Sequence, residues 1–442
     1  MTSKACIFAE QAAPRYTSYP TAPHFTAAVG PETYAGWLEE LPEAATLSLY
    51  LHVPFCAELC HYCGCHTKVV RRREPIETYA DLLAREIDLL AARTAQQTVS
   101  AIHWGGGTPS MLGPDRLIEL TDRLAAAFNC APAEHAIELD PRHIDRALVQ
   151  ALVTMGVTRA SLGVQEFAPH VQQAIGRIQP FEQVAAGVAL LREAGIENLN
   201  FDLMYGLPHQ SADDLNRSIA LAHTLAPSRI ALFGYAHVPW FKTHQRLIDT
   251  AALAGASERL AQAESARKTL IALGYVPVGL DHFARPEDSL AQAAMVGRVH
   301  RNFQGYTTDN ADALIGIGVS AIGRVPQGFV QNAPDIGGYA RAIENGRLAT
   351  VRGIAFTTDD RRRGRIIERL MCDFAAELDG LGDEAAVADA AEALAPLAAE
   401  GLVTIGERRI AVTEAGRPFV RLAATAFDAY FGKGTARHSR AV

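Results

Sequence analysis

The chain has 442 residues, and at about 150 residues per domain this suggests two or three domains with enough material for a large core. Hydrophobic residues make up 49% and charged residues 20%, the balance of a folded protein, which excludes disorder as the main story. The net charge of −8 lacks the basic footprint that phosphate neutralisation requires, and no apolar run approaches the roughly 18 residues of a membrane span, so neither nucleic acid nor membrane is expected as a partner.

The first residues lack the basic-then-apolar pattern of a signal peptide, and a cytoplasmic protein is expected. Residues 1–44 contain PRYTSYPT at 14–21, too rich in turn formers for a regular element, and read as an N-terminal arm laid over the main domain. From about residue 47 one rhythm repeats: a short β-branched and aromatic run, polar or glycine residues, then a helical pattern. Predicted strands at 47–53, 101–104, 136–139, 159–164, 199–204, 230–236 and 275–280 alternate with helical stretches such as 76–93 and 114–128, where Pro114 suits a first helical turn. Such alternation gives an α/β fold with a parallel sheet, either doubly wound or curved into a full or partial barrel. After about residue 340 the strand rhythm stops, and an Ala/Leu/Glu/Asp-rich helical region leads to a hairpin at 402–413 and a further helix. The expected organisation is an arm (1–44), a main α/β domain (45–340) and a smaller, mainly helical C-terminal domain (341–442). A helix-rich unit with a hairpin could suggest a winged helix, but a cap or packing domain is preferred, with Arg361, Arg362 and Arg363 as a solvated helix face.

Of seven cysteines, Cys6, Cys130 and Cys372 are scattered, whereas Cys56, Cys60, Cys63 and Cys65 fall within ten residues. An odd count without a signal peptide argues against a disulfide framework and leaves metal, redox or catalytic use. Cys56, Cys60 and Cys63 put three thiolates on one loop after the first strand, enough to hold three corners of an iron-sulfur cube and leave the fourth iron open. Two alternatives stand beside this: a structural zinc site with Cys65, His61 or His66 as fourth ligand, and simple buried thiols. The glycine-rich turn Trp104-Gly105-Gly106-Gly107-Thr108-Pro109 is weak evidence alone, but it ends the second strand, where α/β active sites lie.

The pairing of C-x3-C-x-aromatic-C with a GGGTP loop resembles the radical S-adenosylmethionine (SAM) superfamily. More narrowly, PRYTSYPT (14–21), CHYCGC (60–65), HWGGGTP (103–109), ELDPR (138–142), GVQEF (163–167), DLMYGLP (202–208), YAHVP (235–239), DHFARP (281–286) and HRNFQGYTT (300–308) resemble the oxygen-independent coproporphyrinogen III oxidase family, in order and over nearly the whole chain. His66 stands where family members carry Asn.

The resemblance implies a partial (β/α) barrel of the radical SAM type, with residues 45–340 as the catalytic domain, and one 4Fe-4S cluster on Cys56, Cys60 and Cys63 whose open iron is chelated by SAM. It implies a 5'-deoxyadenosyl radical that converts two propionates of coproporphyrinogen III to vinyl groups, giving protoporphyrinogen IX in heme biosynthesis. The SAM-contacting positions carried over are Tyr50, Tyr62, Gly106, Gly107, Thr108, Glu138, Gln165, Arg177, Asp202, Ala236 and Ile322. Two SAM molecules are expected, with Tyr50, Gly106 and Glu138 mainly on the first and the other positions mainly on the second. Taken singly, Glu138 or Asp202 reads equally as a capping carboxylate, Arg177 as a surface charge, and Ala236 and Ile322 as core. Arg15, Arg285 and Arg301 are candidates for the substrate propionates, with local salt bridges as an equal alternative. Cys65 receives no role. The implied partners are coproporphyrinogen III and an electron donor such as a flavodoxin or ferredoxin, and the expected state is a monomer. A heme-binding chaperone of the same superfamily and a zinc-stabilised α/β protein are the alternative readings.

Overall fold

The alternation in TLSLYLHV shows why its segment is a strand: Leu47, Leu49, Leu51 and Val53 are all fully buried on one face, while Ser48, Tyr50 and His52 point to the other. In a computed structural model describing residues 3–382, 384–433, 439 and 440, this segment is the centre of a large sheet. Its strands are β1 (Thr46–Val53), β2 (Thr98–Gly106), β3 (Glu134–Leu139), β4 (Arg159–Gln165), β5 (Asn198–Tyr205), β6 (Arg229–Gly234), β7 (Val276–Val278), β8 (His282–Ala284), β9 (Ala313–Ile317), β10 (Ile322–Val325), β11 (Gly328–Asn332) and β12 (Thr350–Ala355). The order across the sheet is β12-β11-β10-β9-β1-β2-β3-β4-β5-β6-β8-β7.

β9 and β1 to β6 run parallel, joined by crossover helices; antiparallel strands finish each flank, β10 to β12 beside β9 and then β8 and β7 beside β6. The edge strands β12 and β7 do not pair with one another, so the architecture is an open, partial (β/α) barrel. The apolar face lies under helices such as Glu74–Ala91 and Pro114–Ala127, whose Leu83, Ile87, Leu117 and Leu124 join the strand leucines in one core. The other face carries the polar and aromatic residues, and it opens at the C-terminal strand ends.

The strand pattern runs further than the sequence rhythm suggests. β12 begins ten residues after position 340: β10 and β11 form a short hairpin, and the helix Ile336–Glu344 then leads to β12, which pairs antiparallel to β11 and so departs from the parallel pattern of the earlier units. The 230–236 segment leaves the ladder after Gly234, and the 275–280 segment keeps only Val276–Val278, paired antiparallel to β8. The arm also departs from its reading as irregular chain, since it holds helices at Ser3–Glu10 and Pro31–Glu39, the latter with Pro31 in its first turn. It is shared between two cores. Ala9, Ala13, Tyr16 and Tyr19 pack with the C-terminal residues Ile367, Leu370, Leu394, Ile410 and Phe427, whereas Tyr34 and Leu38 join the main core. Around the second core stand the helix Thr358–Asp373, started by a capping box between Thr357 and Asp360, and the helix Glu384–Ala399. A small sheet accompanies them, in which Ala375–Glu377 joins the hairpin Val403–Ile405 and Arg409–Val412.

Candidate active site

The polar face of the sheet gathers a continuous set of hydrogen-bonding groups. Tyr50 lies opposite His103 on β2 and Gly316 on β9 in strand register, and its hydroxyl is 3.0 Å from His52 Nδ1. His103 Nε2 is 3.1 Å from Glu138 Oε1, and the other carboxylate oxygen accepts from Gly106 N–H at 3.1 Å. Burial opposes ionisation of Glu138, yet the bond and charge of His103 outweigh it and hold the carboxyl below its usual range. On β5, Asn200 donates to Asp202 Oδ1 at 2.9 Å and to Ser161 at 2.7 Å. Burial, reinforced by the nearby Glu138 charge, pushes the Asp202 carboxyl up to about 7. Two neighbouring acids are thus shifted in opposite directions, a pattern of perturbation found at functional clefts.

The cysteine loop leaves β1 at Pro54 and crosses the strand ends. Gly107 N–H donates to Val53 O at 2.8 Å and Thr108 N–H to Phe55 O at 2.7 Å, which staples the glycine turn to the loop. Gly106 has φ of +112°, a conformation side chains resist, and a Cβ on Gly107 would stand 2.6 Å from Phe55 O and 3.0 Å from Cys56 Sγ. The turn is therefore a cradle that only backbone fits. The Thr108 hydroxyl donates to Cys56 Sγ at 3.7 Å, and the buried Arg177 donates to Cys60 Sγ at 3.4 Å. On the far side, His244 Nε2 is 2.7 Å from Cys63 O, Gln245 Nε2 donates to Tyr62 O at 2.8 Å, and Lys242 Nζ donates to Cys65 O at 2.7 Å.

Three thiols on one clamped loop, two of them receiving hydrogen bonds and one backed by a cation, fit an anionic iron-sulfur cluster. Among the described residues no three His, Cys, Asp or Glu converge as around one ion, and sulfurs on three corners of a cube do not share a point.

Ten of the eleven carried-over positions lie in linked groups near the strand ends. Tyr50, Gly106 and Glu138 are linked through His52 and His103, and Gly107 and Thr108 lie against Cys56. Gln165 ends β4 at a register shift with φ of +68°, near Arg177 across Gly163. Asp202 neighbours Glu138 electrostatically, and Tyr62 is joined to Ala236 by Gln245, which donates to both carbonyls. Ile322 stands apart on β10, its carbonyl 2.9 Å from where a Cβ on Gly316, the residue opposite Tyr50, would lie.

Arg177 is not a surface charge. It donates to Asp140 Oδ1 at 3.2 Å, to Gly163 O at 2.8 Å and to Gln179 Oε1 at 3.0 Å, while its Nε has no partner. Asp140 also takes Arg142 at 2.7 Å, so burial notwithstanding, His143 and the two arginines hold its carboxyl far below the usual range. Asp140, Arg142, His244 and Gln245 were missed as site-forming residues. The first two lay in the quoted ELDPR motif, and nothing in the local sequence marked the others.

Beside Tyr235 and Ala236 the barrel opens into a cavity of about 510 Å³, lined by seven arginines and three acids. Arg15 and Arg301 line it. Arg15 is surrounded by protein but accessible from the cavity, and donates to Gly234 O; Arg301 lies over the Tyr306 ring at 4.4 Å, with Nε and Nη1 unpartnered. Arg285 does not line it. Its guanidinium donates to Pro227 O at 3.1 Å and stacks on Tyr275, at the N-terminal end of β6 and opposite the site. Arg259 and Arg421 take part instead, contributed by the helix Ala256–Ala272 and the helix Val420–Thr425.

The radical SAM superfamily model matches residues 50–222. The oxygen-independent coproporphyrinogen III oxidase of Bradyrhizobium diazoefficiens is 49% identical over 99% of both chains, and that of Pseudomonas aeruginosa 37% identical over 94% of this chain and 93% of the relative. The solved coproporphyrinogen III oxidase of Escherichia coli, a radical SAM enzyme, superposes with a TM-score of 0.89 at 37% identity, covering 95% of this chain and all of that one. With its cysteine loop, glycine cradle and open barrel, this chain belongs to the oxygen-independent coproporphyrinogen III oxidases, radical SAM enzymes that use a 4Fe-4S cluster and SAM.

Proposed function

We propose that this chain carries out the anaerobic oxidative decarboxylation of coproporphyrinogen III to protoporphyrinogen IX, with Cys56, Cys60 and Cys63 holding the cluster. When bound, cluster and SAM supply a 5'-deoxyadenosyl radical that takes a hydrogen from a propionate β-carbon, after which loss of carbon dioxide and an electron leaves a vinyl group. The protein's part is to bind, orient and exclude water. Gly106 and Gly107 let backbone approach SAM closely, Glu138 and Asp202 offer acceptors for its ammonium and ribose hydroxyls, and Arg177 keeps a cation beside Cys60. Glu138 is suited to the ammonium because it is held ionised.

The observation that carries the substrate reading is a cationic cavity in an acidic chain. Arg267 and Arg417 pair with Glu264 and Glu414, while Arg15, Arg259, Arg301, Arg421 and Arg440 also line the cavity and make it a cationic surround suited to a ligand with four propionates. The cavity meets the cysteine loop at Tyr235 and Ala236, where SAM contacts are proposed. Two SAM molecules fit a set of positions this large, Tyr50, Gly106 and Glu138 serving mainly the first. A flavodoxin or ferredoxin is the proposed electron donor, and the monomer the proposed state. The test is anaerobic equilibrium binding of SAM to cluster-loaded protein, followed by turnover of coproporphyrinogen III. Two SAM per chain and a divinyl product are expected; one SAM at saturation refutes the second site, and no product refutes the activity.

A further inference from the structure

A porphyrinogen has two kinds of polar group, carboxylates at its rim and pyrrole N–H donors at its centre. Arginine accepts no hydrogen bond, so the guanidiniums serve the rim alone, and an enclosed N–H without an acceptor is costly. The acids of the cavity are therefore informative. Glu264 is held by Arg267 at 3.0 Å and Lys268 at 3.3 Å, and Glu414 by Arg267 at 2.9 Å and Arg417 at 2.7 Å. Asp281 differs. It lies just before β8, beside Leu232 of β6, with its side chain 17% exposed toward the cavity.

His282 Nδ1, 2.7 Å from Asp281 Oδ1, holds one oxygen, and the His282 ring is fixed edge-on between Tyr306 and Phe233. Among the described residues Oδ2 accepts no hydrogen bond. The nearby Arg15 and Arg301 donate instead to the carbonyls of Gly234 and Arg15. Burial opposes the Asp281 charge, but His282, Arg301 and Arg15 overcome it and keep the carboxyl below its usual range. Of the three cavity acids, Asp281 is thus the one whose second oxygen accepts no hydrogen bond among the described residues, inside a surround of cations.

We infer that Asp281 accepts the pyrrole N–H groups of bound coproporphyrinogen through Oδ2, with His282 positioning it, and so centres the macrocycle among the arginines. This rests on the cavity being the substrate site. The test uses anaerobic, cluster-loaded enzyme and two ligands with the same four propionates: coproporphyrinogen III, with four inner N–H groups, and coproporphyrin III, with two.

Asp281→Asn is expected to weaken coproporphyrinogen binding on the order of 10- to 100-fold, as for loss of a hydrogen bond to a charged group, and coproporphyrin binding by less than about threefold. Iron content and SAM affinity should stay unchanged, and Asp281→Ser provides a second charge-removing variant should the amide perturb folding. Equal weakening of both ligands would make Asp281 a counter-ion for Arg15 and Arg301, and no weakening would remove it from the site; either overturns the inference. Arg259→Gln separates the two readings. If it weakens both ligands alike, the cavity is the substrate site whatever Asp281 does; if it weakens neither, the cavity reading falls and the role of Asp281 with it.

Discussion

The glycine turn meets the backbone of the cysteine loop at Gly107, and Gly107→Ala turns that close approach into a measurable loss. The added methyl would stand 2.6 Å from Phe55 O, which is itself fixed by the Thr108 N–H at 2.7 Å, and 3.0 Å from Cys56 Sγ. Ordinary contact begins near 3.4 Å, so backbone or sulfur must move by several tenths of an ångström. Overpacking of this kind costs about 1–3 kcal/mol, and here the yielding atoms belong to the cysteine loop. Urea unfolding of the cluster-free protein should show that loss, and iron per chain after anaerobic reconstitution should fall well below that of the parent. Gly64→Ala is the control: it lies between Cys63 and Cys65 with nothing within 4 Å of its added carbon, and should be neutral in both assays. Unchanged stability and iron in Gly107→Ala, or an equal loss in Gly64→Ala, would refute the cradle argument.

Arg177→Met should destabilise the fold by about 3 kcal/mol, the low end for breaking a buried ion pair, because Arg142 still holds Asp140; urea unfolding measures it. Glu86 receives hydrogen bonds from Gly318 N–H, Asn332 and Tyr339, each 2.6 or 2.7 Å long, yet burial pushes its carboxyl up to about 7. Its folded pKa exceeds the unfolded value of about 4.3, so the folded state holds the extra proton and stability falls as pH rises between those values. Glu86→Gln should flatten that slope in unfolding curves measured from pH 4.5 to 7.5, and an unchanged slope would assign the dependence elsewhere.

Much of this was legible because it depends on local pattern. Alternation placed β1 to β6 where single faces are buried, and the CHYCGC and HWGGGTP motifs put thiols and glycines at adjacent strand ends. What escaped depends on the return of distant chain. β10 and β11 are a short hairpin, and β12 returns antiparallel after the helix Ile336–Glu344, so they do not repeat the parallel βα rhythm. His244 and Gln245 sit in an ordinary-looking loop and become clamps only when that loop folds back 180 residues onto the cysteines. Arg285 and Arg301 both occur in striking motifs, but Arg285 follows β8, which runs antiparallel to β6, and is thereby carried to the wrong end of the sheet. Arg259 and Arg421 had no motif to announce them.

The crowding of guanidiniums has a consequence for how the reaction ends. Arg421, pushed down to about 9 by burial and by the charges of Arg15 and Arg301, remains cationic at neutral pH, and it hydrogen-bonds Ala13 and Pro14 of the arm as well as Ser439 and Arg440 near the other end of the chain. In the proposed reaction each turnover removes one carboxylate from the ligand as carbon dioxide. The monovinyl intermediate still offers three anions to the cavity and is retained for its second oxidation. The divinyl product offers two, the repulsion among the arginines is no longer fully offset, and the chemistry itself loosens the grip that brought the substrate in.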